Sequence, residues 1–123
     1  MIRNIEVSKL IQPVIKAFTI FADEDCWSGE DDNFWVMVQA DIGPEDSEGS
    51  ETYTFYVASP KRLEDIVRND IRVGRGLLIT NNYRKDDVER TIQRLVEKCK
   101  RSTWNDVVNA LSRYSYTEYE HEI

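Results

Sequence analysis

Apolar positions along this chain follow two periods, and the change from one to the other marks its elements. From Phe34 to Ile42 the string FWVMVQADI sets Phe34, Val36, Val38, Ala40 and Ile42 on one face and Gln39 and Asp41 on the other. This is the period-2 alternation of a half-buried strand. After the turn-forming segment GPEDSEGS, Gly43 to Ser50, the string ETYTFYVAS alternates again with Tyr53, Phe55 and Val57 on one side. The pair predicts an antiparallel hairpin closed by a long acidic loop. At Ser59-Pro60 the period becomes helical. Serine suits an N-cap, proline suits the first helical position, and Leu63, Ile66 and Val67 form a stripe that predicts a short helix ending near Asn69.

Gly74 and Gly76 break the chain before GLLIT, whose continuous apolar run predicts a strand buried in the middle of the sheet. In DDVERTIQRLVEKCK, residues Val88, Ile92, Leu95, Val96 and Cys99 fall on one helical stripe, and Asp86 and Glu89 have the spacing of a capping box. Ser102 or Thr103 is placed to cap a further helix whose apolar face is Trp104, Val107, Val108 and Leu111. In the tail YSYTEYEHE, Tyr114, Tyr116 and Tyr119 are candidates to face the sheet as a last strand. Ile5 and Val7 alternate within Ile2 to Leu10, a further strand candidate. The stretch through Pro13, Val14, Phe18 and Phe21 keeps no single period and is not assigned. The expected architecture is α+β: an antiparallel sheet of four to five strands with two or three helices packed on one face, those from Lys61 and Asp86 among them.

A length of 123 residues fits a single domain spanning residues 1–123. With 41% apolar and 32% charged residues the composition is that of a soluble globular protein. No run approaches the roughly 18 apolar residues of a membrane span, and the opening MIRNIEVSK lacks the layout of a secretory signal. The expected location is cytoplasmic, with no membrane partner. Sixteen basic and 23 acidic side chains leave a net charge of -7, which repels phosphate backbones and argues against nucleic acid. It favours a basic partner where the acids cluster.

They cluster most densely in EDCWSGEDDNFW, Glu24 to Trp35, and the Asp23 before it, where Asp23, Glu24, Asp25, Glu30, Asp31 and Asp32 surround Trp27. An aromatic among steering charges has the composition of an interface anchor, although a solvated charge run is the ordinary fate of such a string. A second cluster, Glu45, Asp46, Glu48 and Glu51, lies in the hairpin loop, and a third, Glu118, Glu120 and Glu122, in the tail. Calcium loops alternate their ligands around a central glycine and close with a glutamate, which this string does not do, so no metal is expected.

No catalytic residue is expected either. His121 is the one histidine and stands at a chain end, where a base is poorly held. Cys99 belongs to an apolar stripe, and Cys26 lies among acids that disfavour a thiolate. The two form no C-x-x-C pair. GRG, Gly74 to Gly76, lacks the spacing and following lysine of a phosphate loop and reads as a turn. No cofactor is expected.

Several of these segments together resemble the Immunity protein 8 family of bacterial polymorphic toxin systems. The likeness runs from the strand ending in IGP (Ile42 to Pro44) through EDSEGSE, TFYVASP with its Pro60-Lys61 helix start, GRGLLI, DDVERTIQRLVEKC and STWNDVVNALSRY to the closing TEYE. It covers roughly Phe34 to Glu120. The resemblance implies a small α+β protein that binds and blocks a toxin domain made by the same or a sister cell, with no catalysis of its own. The cognate toxin is then the expected partner, a basic one on the charge argument, with the acidic clusters and Trp27 as its contact surface. The alternatives are a general protein-interaction module, or a small hydrolase of unrecognised type marked by paired carboxylates in a cleft.

Overall fold

The computed structural model describes residues 9–120. The expected strand at Ile2 to Leu10 lies outside the described residues apart from Lys9 and Leu10, which occupy turn and coil. The fold is α+β, with five strands in one sheet and three helices among the described residues. Strands β1 (Pro13–Phe21), β2 (Trp35–Pro44) and β3 (Glu51–Ala58) form an antiparallel meander. Helix α1 (Pro60–Val67) leads to strand β4 (Leu77–Ile79), and α2 (Lys85–Glu97) and α3 (Trp104–Leu111) precede β5 (Tyr116–Thr117). Both short strands share the remaining edge of β3: β5 pairs antiparallel with Tyr53 and Thr54, β4 parallel with Tyr56 to Ala58.

The period-2 residues build the core as expected. Phe34, Val36, Val38, Ala40 and Ile42 are fully buried, as are Tyr53 and Phe55, with Val57 beside them. Cross-strand pairs Val36–Val57, Val38–Phe55 and Ala40–Tyr53 stack them on one face. Helix α2 lays Val88, Ile92 and Val96 on that face and lies against β1, while α3 adds Val107, Ala110 and Leu111. Cys99 is buried in the same cluster, and burial pushes its thiol pKa up.

The unassigned stretch is a nine-residue strand, β1. Ile11, just before it, and Ile15 pack on the core, then Phe18 and Ile20, because a bulge at Lys16 shifts the register between Ile15 and Ala17. The bulge reverses the parity of every later side chain, which hid the alternation.

Other details differ from expectation. β4 is an edge strand rather than a central one, with Leu78 packed on the core and Ile79 exposed. Leu77, on the face opposite Leu78, lines a cleft with Trp35 and Tyr56. Helix α2 starts at Lys85 with Arg84 as an N-cap that makes no side-chain hydrogen bond, so Asp86 and Glu89 form no capping box. Asp86 and Asp87 instead lie in its first turn, where the helix dipole favours carboxylates. Helix α1 does not join α2 and α3: Leu63 and Ile66 line a cleft with Trp35 and Tyr56, side chains of the opposite sheet face. Of the three tail tyrosines Tyr116 alone is buried, Tyr119 being 79% exposed.

Candidate functional site

The acidic segment between β1 and β2 is a built loop. Asp23 Oδ1 accepts the backbone N–H of Asp25 at 3.2 Å and caps a single 3-10 turn, Glu24–Cys26. Trp27 then bridges Phe34 in a one-residue ladder, Ser28 N–H donates to Asn33 O at 2.9 Å, and Asn33 N–H donates to Glu30 O at 3.1 Å. The indole of Trp27 turns inward. Its ring centroid is 5.8 Å from that of Phe34 and 5.6 Å from that of Tyr83, and its Nε1–H donates to Asp31 O at 3.2 Å. Trp27 is thus half-buried and holds the two arms of the loop together.

Helix α1 fixes the loop from outside. The buried Ser59 hydroxyl accepts both Arg62 N–H at 3.2 Å, as the N-cap of α1, and Phe34 N–H at 3.1 Å. Arg62 donates to Asn33 Oδ1 at 2.7 Å and to Cys26 O at 3.1 Å, and Asn33 in turn donates to Asp65 Oδ2 at 3.0 Å. Lys61 Nζ stands 3.0 Å from Glu30 Oε2 and 3.7 Å from Asp32 Oδ1. These cations come from a segment that the loop's own composition does not announce. Two of the six loop carboxylates are therefore met by Lys61, whereas Glu24, Asp25 and Asp31 make no side-chain ion pair among the described residues. All six are exposed. Burial raises the Cys26 thiol pKa, with Asp23 and Asp25 adding to it, so the thiol is disfavoured as a nucleophile.

The second acidic cluster is at the other end of the sheet. Strand β2 separates the two, and its ten residues put them roughly 30 Å apart at about 3.3 Å per residue. Glu45, Asp46 and Glu48 are exposed, while Glu51 is half-buried and accepts from the Tyr53 hydroxyl at 3.3 Å. Burial, followed by the charge of Glu51, raises the Tyr53 pKa far above its ordinary value. The tail cluster is dispersed. Glu118 accepts Thr52 N–H at 3.2 Å, Glu120 is ion-paired with Arg75, and Glu122 and His121 lie outside the described residues.

A family model described as Immunity protein 8 matches residues 14–121. The chain belongs to the Immunity protein 8 family. No curated protein and no solved structure compared with it matches the chain. The family region begins at Val14, so it includes β1 and the acidic loop as well as the later segments on which the resemblance rests.

The Immunity protein 8 motif GRGLLI has a structural task. Arg75 donates to Ser115 O at 3.1 Å, pairs with Glu120 and lies 4.3 Å from the centroid of the Tyr116 ring. The Gly76 carbonyl accepts Tyr56 N–H at 2.7 Å, and a β-carbon there would meet Tyr116 Cε2 at 2.8 Å. The motif clamps β5 against the sheet. Among the described residues, no group of three or more His, Cys, Asp or Glu side chains could hold a metal ion, and no helix is long and apolar enough to cross a membrane.

Proposed function

We propose that this protein neutralises a cognate toxin domain by binding it stoichiometrically, with no chemistry of its own, and that the loop Asp23 to Asp32 covers a basic face of that toxin in the cytoplasm. Family membership supports the immunity role. The observation that carries the choice of surface is the pinned backbone of a loop that leaves Glu24, Asp25 and Asp31 exposed and without an ion-pair partner among the described residues. A loop already held in one conformation loses little entropy on binding, so its charges are presented at low cost. Exposed carboxylates steer a basic partner into encounter. Trp27 contributes from within, by keeping those carboxylates in place. The Glu45 to Glu51 loop, at the far end of β2, is a separate surface in this reading and does not share the same patch.

Co-expression tests the proposal. The toxin domain encoded by the neighbouring gene should arrest growth alone and be silenced by this protein, and the two should co-purify in a one-to-one complex. Protection without a stable complex would point to another mechanism.

A further inference from the structure

An exposed loop of carboxylates steers a partner but does not hold one. Stable interfaces cover roughly 800 Å² on each side and concentrate their energy in a desolvated apolar centre. The acidic loop has no such centre, because its one large aromatic, Trp27, is engaged with Phe34, Tyr83 and Asp31. On the other side of α1 the structure has one. A cleft of about 410 Å³ opens between α1, the segment 68–76 and the sheet face opposite the core. Its floor is Trp35 and Tyr56, with ring centroids 5.3 Å apart, and Leu63 and Ile66 form a wall.

The rim of this cleft is unusually apolar for so charged a chain. Val73, in the rim, is 55% exposed, Val67 45%, and the adjacent Ile71 93%. The arginines there are already matched, Arg72 with Asp70 at 3.1 Å and Arg75 with Glu120. The cleft is therefore electrically quiet and suits an apolar side chain rather than an anion. It lies across α1 from the acidic loop. Lys61, Arg62 and Asp65 of α1 face the loop, Leu63, Ile66 and Val67 face the cleft, and one helix of about 10 Å diameter separates the two.

We propose that the cleft receives an apolar side chain of the same toxin whose basic face meets the acidic loop, so that α1 lies beneath the middle of the interface. The proposal rests on the immunity reading above and adds the anchor which that reading lacks. The loop sets the rate of encounter, and the cleft sets the lifetime of the complex.

The experiment measures association and dissociation of an inactivated form of the toxin domain from the neighbouring gene. Two variants are compared with wild type: Val67→Ser/Val73→Ser, both lining the cleft, and Glu24→Gln/Asp25→Asn/Asp31→Asn in the loop. Thermal melts of the unbound proteins accompany them, and the exposed positions chosen should leave melting unchanged. The cleft variant should release the toxin roughly tenfold faster with little change in association. Release at the wild-type rate, with the loop variant slow to associate, would overturn the cleft and leave the loop reading standing. Fast release from the cleft variant, with an unaffected loop variant, would support the cleft and remove the loop. A wild-type dimer that the cleft variant converts to a monomer, with toxin release unchanged, would assign the cleft to a second copy of this chain and overturn the proposal. Failure of the wild-type protein to bind the toxin would overturn both readings.

Discussion

Lys61 Nζ lies 3.0 Å from Glu30 Oε2, so the first turn of α1 neutralises part of the loop proposed to meet the toxin. The hydrogen bond that Lys61 donates to Glu30 raises the Lys61 pKa, and Asp32 adds to the effect. The ammonium remains charged throughout the neutral range. It subtracts from the field that an approaching basic partner would feel. Lys61→Gln should therefore speed toxin association, by roughly twofold or more at low salt, with the gain fading as salt rises. Slower association would mean that Lys61 itself touches the toxin or that the loop is not the docking surface.

Trp27 holds the loop closed through Phe34, Tyr83 and the Asp31 carbonyl. Trp27→Ala should lower the stability of the unbound protein by about 1 to 3 kcal/mol, measured by chemical denaturation. Unchanged stability with faster toxin release would instead give Trp27 the role of an exposed anchor.

Gly76 and Gly29 both have positive φ, 76° and 83°, but only Gly76 has a neighbour in the way. Alanine at position 29 should cost about 1 to 2 kcal/mol from backbone strain alone. Gly76→Ala should cost more, because Tyr116 must also move off the sheet edge, and melts of the two variants compare them directly. Equal losses would show that Tyr116 does not depend on the GRG clamp.

Partial desolvation tends to raise the Glu120 pKa, but the hydrogen bonds from Arg75 and Thr117 outweigh it and leave the pKa lowered. A carboxyl depressed in the folded state stabilises the fold fully above its unfolded pKa, and loses that contribution as pH falls through the folded value. The clamp on β5 should thus loosen below the ordinary glutamate value of 4.5. Glu120→Gln should flatten this acid limb in stability measured from pH 6 to pH 3. An identical limb in wild type and variant would show that the pair contributes nothing.

The hairpin and core were legible because β2 and β3 keep strict alternation, and the stripe of α2 because Val88, Ile92 and Val96 keep helical spacing. Strand β1 was not, since one extra residue at Lys16 moves Phe18 and Ile20 into the parity that the earlier residues had left. The edge position of β4 was hidden for a related reason: a run of three apolar residues has no period from which to tell one covered face from two. The candidate site was half legible. Composition located the carboxylates, but their pairing with Lys61 and the pinning by Arg62 depend on α1 folding back across the chain, a long-range contact that no local pattern encodes. Trp27 shows the same limit, because an aromatic in an acidic string is equally an anchor or a strut until its neighbours are known.

The exposed carboxylates of Asp23 to Asp32 are proposed to bring a basic toxin to this surface. The most direct test is the association rate of the inactivated toxin domain with wild type and with Glu24→Gln/Asp25→Asn/Asp31→Asn, each at 0.05 M and 0.5 M salt. The variant's rate should fall roughly tenfold at the lower salt, with a salt dependence much flatter than that of wild type. Equal rates and equal salt slopes in the two proteins would contradict the proposal.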